Sequence, residues 1–287
     1  MSDHERAVNA ALAVNRELGA IFGRLGTADH PRGAVVSAYR AARRALEGNL
    51  GQPRTVAEIL AVLRAAVLEA VRAAIRQGSV IGSASAEKQL QAYGFQPVLP
   101  LFNPELGVSA TTAVLDGQIA TVTALALTAV GADLILGDDE RVGLLSPGRV
   151  NGEATRWASL AASNAQRTAF DATLGGDPVW HKQAVAAIDD RTTDCCLQVN
   201  GQTVPMDDEF VLTGTPRYAD RLGWPAFHWY CRTSVAMVRA QDANDDVTQG
   251  MVDAAQSELS ARGPGGKNRV PIYPVHSRSR RKKWQTE

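Results

Sequence analysis

The chain has 287 residues, 45% of them hydrophobic, which is enough to bury a core and excludes a wholly disordered protein. Thirty Lys and Arg balance thirty Asp and Glu, so net charge singles out neither nucleic acid nor a membrane surface as partner. The longest charge-free apolar stretch, 117–132, has 16 residues and contains Gln118, Thr121, Thr123 and Thr128; a bilayer span needs ~20 apolar residues, so no membrane role is expected.

The opening "MSDHERAVNAALAV" carries acids where a secretory signal has a basic head, which predicts synthesis in the cytoplasm. Leu18, Ile21, Phe22 and Leu25 recur at helical spacing, and an alanine-rich second helix runs to Gly48-Asn49. In "TVAEILAVLRAAVLEAVRAAIRQG", Thr55 stands three residues before Glu58, the spacing of a capping box. Ile59, Leu63, Val67, Val71 and Ile75 then form one apolar stripe, with Gly78 read as the stop.

Pro97, Pro100 and Pro104 break the stretch 79–107, which holds at most a short helix in "SASAEKQLQAYG" and reads as a join. Residues 108–130 read as buried helix, with strand as the alternative. A further helix is predicted between Asn151-Gly152 and Gly175-Gly176, with Trp157, Leu160, Ala161 and Thr168 on its buried side. Beyond it lie short β-like runs, "VWHKQAVAAI", "TVPM", "EFVL" and "TSVAMV", and the Asn-Gly of "VNGQTV" predicts a hairpin. The expected fold class is α+β. The expected divisions are a helical region 1–80, a Pro-broken connector with buried helices 81–150, a small mixed domain with short antiparallel strands 151–238, and an acidic segment with a flexible basic tail 239–287.

The three cysteines all fall in that small domain, too few and too unevenly spaced for a disulfide framework. Cys195, Cys196, His228 and Cys231 make a candidate four-ligand metal set, with His-x-x-Cys at a spacing one turn can present to a single ion. Zinc is a chemically sensible occupant. Two other readings stand beside it: packed thiols around a hydrogen-bonded histidine, which is preferred, and a Cys nucleophile activated by His228.

"DDRTTDCCLQVNG" followed by "FHWYCRTSVAMV" resembles the phage Mu protein F-like minor head protein family, whose mark is Asp-x-Arg-Thr, a Cys or His soon after, a glycine turn, and His-x-x-Cys-Arg. Asp189, Arg191, Thr192, Cys196, Asn200, Gly201, His228, Cys231 and Arg232 fall on that pattern, with Asp190 inside it, and the resemblance covers roughly 153–238. Ala184 stands where relatives often have tryptophan, and Thr233 where many have a further cysteine.

The resemblance implies a non-enzymatic minor capsid protein of a tailed phage, made in the host cytoplasm and placed in the virion at the portal vertex. Its implied partners are the portal and major capsid proteins, and its implied work is head assembly or genome delivery. Asp189, Arg191, Thr192 and Arg232 are read as a structural turn with ion pairing in preference to a catalytic acid and an anion-binding arginine. Arg278, Arg280, Arg281, Lys282 and Lys283 crowd the tail after an acidic stretch and form a candidate contact to genomic DNA. The alternatives are a toxin-like or hydrolytic enzyme using Asp190, Cys196 and His228, or a DNA-binding packaging accessory acting through the tail.

Overall fold

The structure, a computed structural model, describes residues 1–23, 31–99, 105–126, 135 and 145–262. The basic cluster Arg278, Arg280, Arg281, Lys282 and Lys283 lies outside the described residues, as does Leu25. Seven α-helices are described: α1 (Asp3–Gly23), α2 (Pro31–Glu47), α3 (Pro53–Ala92), α4 (Glu105–Leu125), α5 (Gly148–Leu174), the short α6 (Asp194–Val199) and α7 (Asp246–Ala261). Five short strands accompany them: β1 (Trp180–Val185), β2 (Thr203–Pro205), β3 (Phe210–Val211), β4 (Arg221–Leu222) and β5 (Ser234–Arg239). The fold class is α+β, as expected, with the sheet confined to the C-terminal part.

The chain forms two compact units that interleave in sequence, unlike the consecutive divisions expected. One, the helical unit, comprises 18–80 and 101–161; the other, the sheet unit, comprises 1–17, 81–100 and 162–287. In the helical unit the predicted stripe is the core: Leu63, Val67, Val71 and Ile75 are buried and Ile59 half-buried, packed with Tyr39 and Leu46 of α2 and Leu115 and Val122 of α4. The capping box does not form. Thr55 sits inside the first turn, and Pro53 opens the helix, where its missing N–H costs nothing.

Gly78 does not stop α3 either. A Cβ there would lie 2.1 Å from the Ala158 carbonyl oxygen of α5, so this glycine serves close helix packing. The helix beginning near 151 starts earlier, at Gly148, and Thr168 faces solvent, with Ala161 and Ala165 on the buried side.

In the sheet unit β1 is central, paired antiparallel with β2 on one side and β5 on the other, with Lys182 opposite both Val204 and Met237. The free edge of β5 is covered by side chains. Gln89 of α3 accepts from the Met237 N–H (2.7 Å) and donates to the Val235 carbonyl (3.0 Å), pairing with the strand as another peptide would. Gln166 adds a second donor to the Val235 carbonyl, and Tyr93 donates to that of Met237. The first turn of α1 is tied to the start of α7 through His4, which lies 2.7 Å from Asp245 Oδ2 and 2.9 Å from Gln183 Oε1. Asp245 is also the N-cap of α7, accepting from the Thr248 N–H.

The Asn-Gly hairpin is replaced by a helix-to-strand turn. Asn200 ends α6 and Gly201 (φ +83°) swings the chain into β2. Among the described residues, β3 and β4 pair only with each other.

Candidate functional site

Three segments of the sheet unit converge: the loop after β1 with α6, the loop before β5, and the end of α7. Thr193 caps α6, its hydroxyl accepting from the Cys196 N–H at 3.3 Å. Consecutive helical residues are ~100° apart, so adjacent cysteines take different surroundings. Cys196 joins His228 and Cys231 in a buried group whose donor atoms all lie within 4.8 Å of one another. Cys195 is equally buried but packs in the core and is outside that group, so among the described residues three of the four expected donors come together. Burial pushes the Cys195 thiol up to about 12.

Within the group, Cys196 Sγ lies 2.9 Å from His228 Nε2 and 3.8 Å from Cys231 Sγ. His228 Nδ1 lies 2.6 Å from the Trp229 carbonyl, which can only accept, so Nδ1 carries a proton and Nε2 faces the sulfurs. Burial raises the Cys196 thiol well above its ordinary value, and the neighbouring Cys231 reinforces this. Cys231 is held low: burial opposes its ionisation, but the hydrogen bond from Cys196 and the charge of His228 outweigh it. His228 is held above an ordinary imidazole; burial works against this, and the Cys231 charge with the Trp229 carbonyl prevails.

The donors suit a metal such as zinc. Two thiolates on a tetrahedral ion with Zn–S ~2.3 Å lie ~3.8 Å apart, which the Cys196–Cys231 separation matches. The 2.9 Å between Cys196 Sγ and His228 Nε2, by contrast, is a hydrogen-bond contact that must open to ~3.5 Å to admit an ion. The Nδ1–H bond to a carbonyl is the support that metal-bound histidines usually have. Without metal, the Cys196–His228 contact has the reach of a nucleophile–base pair; burial disfavours the Cys196 thiolate, while Cys231 is the cysteine of the group whose ionisation is favoured.

Immediately before Thr193 in the chain, the Asp-x-Arg-Thr turn is braced. Asp189 Oδ1 accepts from the Arg191 backbone N–H (2.9 Å) and both its oxygens accept from Arg232, at 2.7 and 2.6 Å. That guanidinium holds the Asp189 carboxyl far below the usual carboxylate range. The Thr192 hydroxyl donates to the Ala187 carbonyl (2.6 Å) and accepts from Arg232 (3.1 Å). Asp190 and Arg191 are exposed. Asn200 accepts from the Ala186 N–H and donates to the Met251 carbonyl, tying the end of β1 to α7.

Arg262 was not singled out for this site by the sequence. Its side chain is 5% exposed and donates to the carbonyls of Thr192 (2.7 Å) and Asp189 (3.0 Å) and to the carboxylates of Asp194 and Glu258. The one signal available was Glu258 four residues earlier, a helical ion-pair spacing. Thr193 was also missed; an N-cap is visible in sequence only once α6 is known.

No known family model, curated protein or solved structure matches this chain. Among the described residues, no helix is long and apolar enough to cross a membrane.

Proposed function

We propose that this chain is a minor head protein of a tailed bacteriophage, of the Mu F-like kind, that works without catalysis at the portal vertex in head assembly or genome delivery. The observation that supports this reading most directly is the bidentate Arg232–Asp189 pair, which joins the two halves of the motif carrying the family resemblance. Four side chains of that motif are spent on holding loops together: Asp189 and Arg232 on each other, Thr192 on the Ala187 carbonyl, Asn200 on α7. A polar network so engaged specifies a fold, as a protein that must present a fixed surface to a portal or capsid partner requires. In the same reading, Cys196, His228 and Cys231 hold one zinc ion that staples α6 to the loop before β5.

Mass spectrometry of purified particles, with copies counted before and after DNA release, tests the assignment. A few copies per particle are expected; absence of the chain from particles that contain the portal would refute it. Elemental analysis tests the staple separately. About one equivalent of zinc is expected, lost together with stability in Cys231→Ser, and metal-free protein in which that variant folds normally would favour packed thiols.

A further inference from the structure

Three protein donors leave a tetrahedral ion one position short. A small cleft opens beside two of those donors, lined by Cys196 and His228 together with Thr193, Tyr230, Arg191 and Thr233. Its volume is about 10 Å³, the room that one water-sized group occupies. Thr233 is 2% exposed, and its hydroxyl oxygen is buried without a hydrogen-bond partner. Such a group is costly to leave unpaired, and its presence beside the donors marks a place for something that can bond to it.

Tyr230, on the same cleft, takes a left-handed backbone conformation (φ +58°) that is strained for a non-glycine residue. Such strain gathers at binding sites. Arg191 adds an exposed cation at this cleft.

We infer that the Cys196–His228–Cys231 centre is an open metal site, whose fourth position faces the cleft and takes an exchangeable water or small monoanion held by the Thr233 hydroxyl. The inference rests on the metal reading above and goes beyond it. A site that only staples is closed by four protein ligands, whereas an open one can bind or release a ligand while the metal stays. Arg191 favours an anion over a neutral ligand at that position. The Arg232 charge, also beside the cleft, is already taken by Asp189.

The test uses the full chain stripped of metal and reloaded with cobalt(II), whose ligand-field spectrum reports its coordination, and then titrated with azide. Uptake of one equivalent with sulfur-to-cobalt charge transfer, followed by a saturable azide-dependent shift of the ligand-field bands, is the expected result. Thr233→Val, close in shape but without the hydroxyl, should load cobalt equally and bind azide about fivefold more weakly, the worth of one neutral hydrogen bond. Cobalt bound through sulfur with a spectrum indifferent to azide overturns the open position and leaves the staple standing. Failure to take up cobalt at all removes the metal reading itself, and this inference with it. Equal azide affinity in the Thr233→Val protein overturns the part given to Thr233.

Discussion

Asp189→Asn is the sharpest probe of the brace, because it keeps the shape and the Oδ1 acceptor while removing the charge and turning a donor toward Arg232. Two hydrogen bonds to a charged group, each ~1.5–3 kcal/mol, are at stake. Orphaning a buried guanidinium costs ~3–5 kcal/mol. The Arg232 side chain is 12% exposed, but that of Asp189 is 34% exposed and Arg232 keeps its bond to Thr192, so solvent recovers much of the loss. The expected cost is ~2 kcal/mol at pH 7, read as a drop of ~1 M in the urea midpoint for an m-value of ~2 kcal/mol/M. Tryptophan fluorescence suits the assay, since Trp180, Trp224 and Trp229 belong to the sheet unit.

The pH dependence has a definite sign. The folded carboxyl titrates below its unfolded value of ~3.9, so its stabilisation is fully present above that pH and is lost as pH falls toward the folded value. The gap between wild type and variant should therefore hold from pH 7 to 5 and shrink below ~4. A variant within ~0.3 kcal/mol of wild type at pH 7, or a gap that does not close in acid, would refute the brace.

Gly82→Ala would place a Cβ 2.1 Å from the Ala162 carbonyl oxygen, backbone that cannot step aside, and should cost ~2–3 kcal/mol of stability; an unchanged melting temperature would contradict that close approach of α3 and α5. Gln89→Ala leaves the Met237 N–H without its acceptor and the Val235 carbonyl with Gln166 but without its Gln89 donor, for ~1–3 kcal/mol and faster amide exchange at Met237; equal protection in the variant would show the edge to be covered by other means. Truncation after Val275 removes Arg278, Arg280, Arg281, Lys282 and Lys283 and should abolish duplex binding in a low-salt gel shift while leaving the fold intact. If those five cations are the contact, the full chain's log affinity falls against log salt with a slope of about −4 to −5, and undiminished binding by the truncated chain rules the cluster out.

The helical part was legible because periodicity reports burial directly: the residues at steps of four from Ile59 to Ile75 are the ones that pack against α2 and α4. The short β-like runs were legible from β-forming residues bounded by turn residues, and not from alternation, since β1 and β5 are buried almost throughout. Glycine was not, since Gly78 can equally end a helix or let another backbone approach it, and the partner that decides, Ala158, is eighty residues distant in sequence. "DCCLQV" has the composition of a strand, so the Asn-Gly after it looked like a hairpin; the Thr193 cap makes it a helical turn instead. The phase of that turn, invisible to spacing rules, separates Cys195 from Cys196. Motif residues were found without their geometry, and Arg262 was hidden because its role depends on where the end of α7 lands.

The site contains two cross-links of different chemistry between the same two loops. Asp189 and Arg232 join them ionically, and Cys196 meets His228 and Cys231 across a sulfur and nitrogen cluster that suits a metal. Arg262 adds a third tie from α7 to the first loop. Because the ionic ties do not involve the sulfurs, losing a metal from the three donors would leave Asp189–Arg232 in place, and breaking the ion pair would leave the three donors near one another. The two losses are therefore separable: a fall in stability without loss of a bound metal would belong to the brace, and a fall that accompanies loss of metal, as proposed for Cys231→Ser, would belong to the staple. Burial raises the Cys196 thiol and so works against Cys196 as a nucleophile, whereas the Cys231 thiol beside it is held low by the hydrogen bond from Cys196 and the charge of His228.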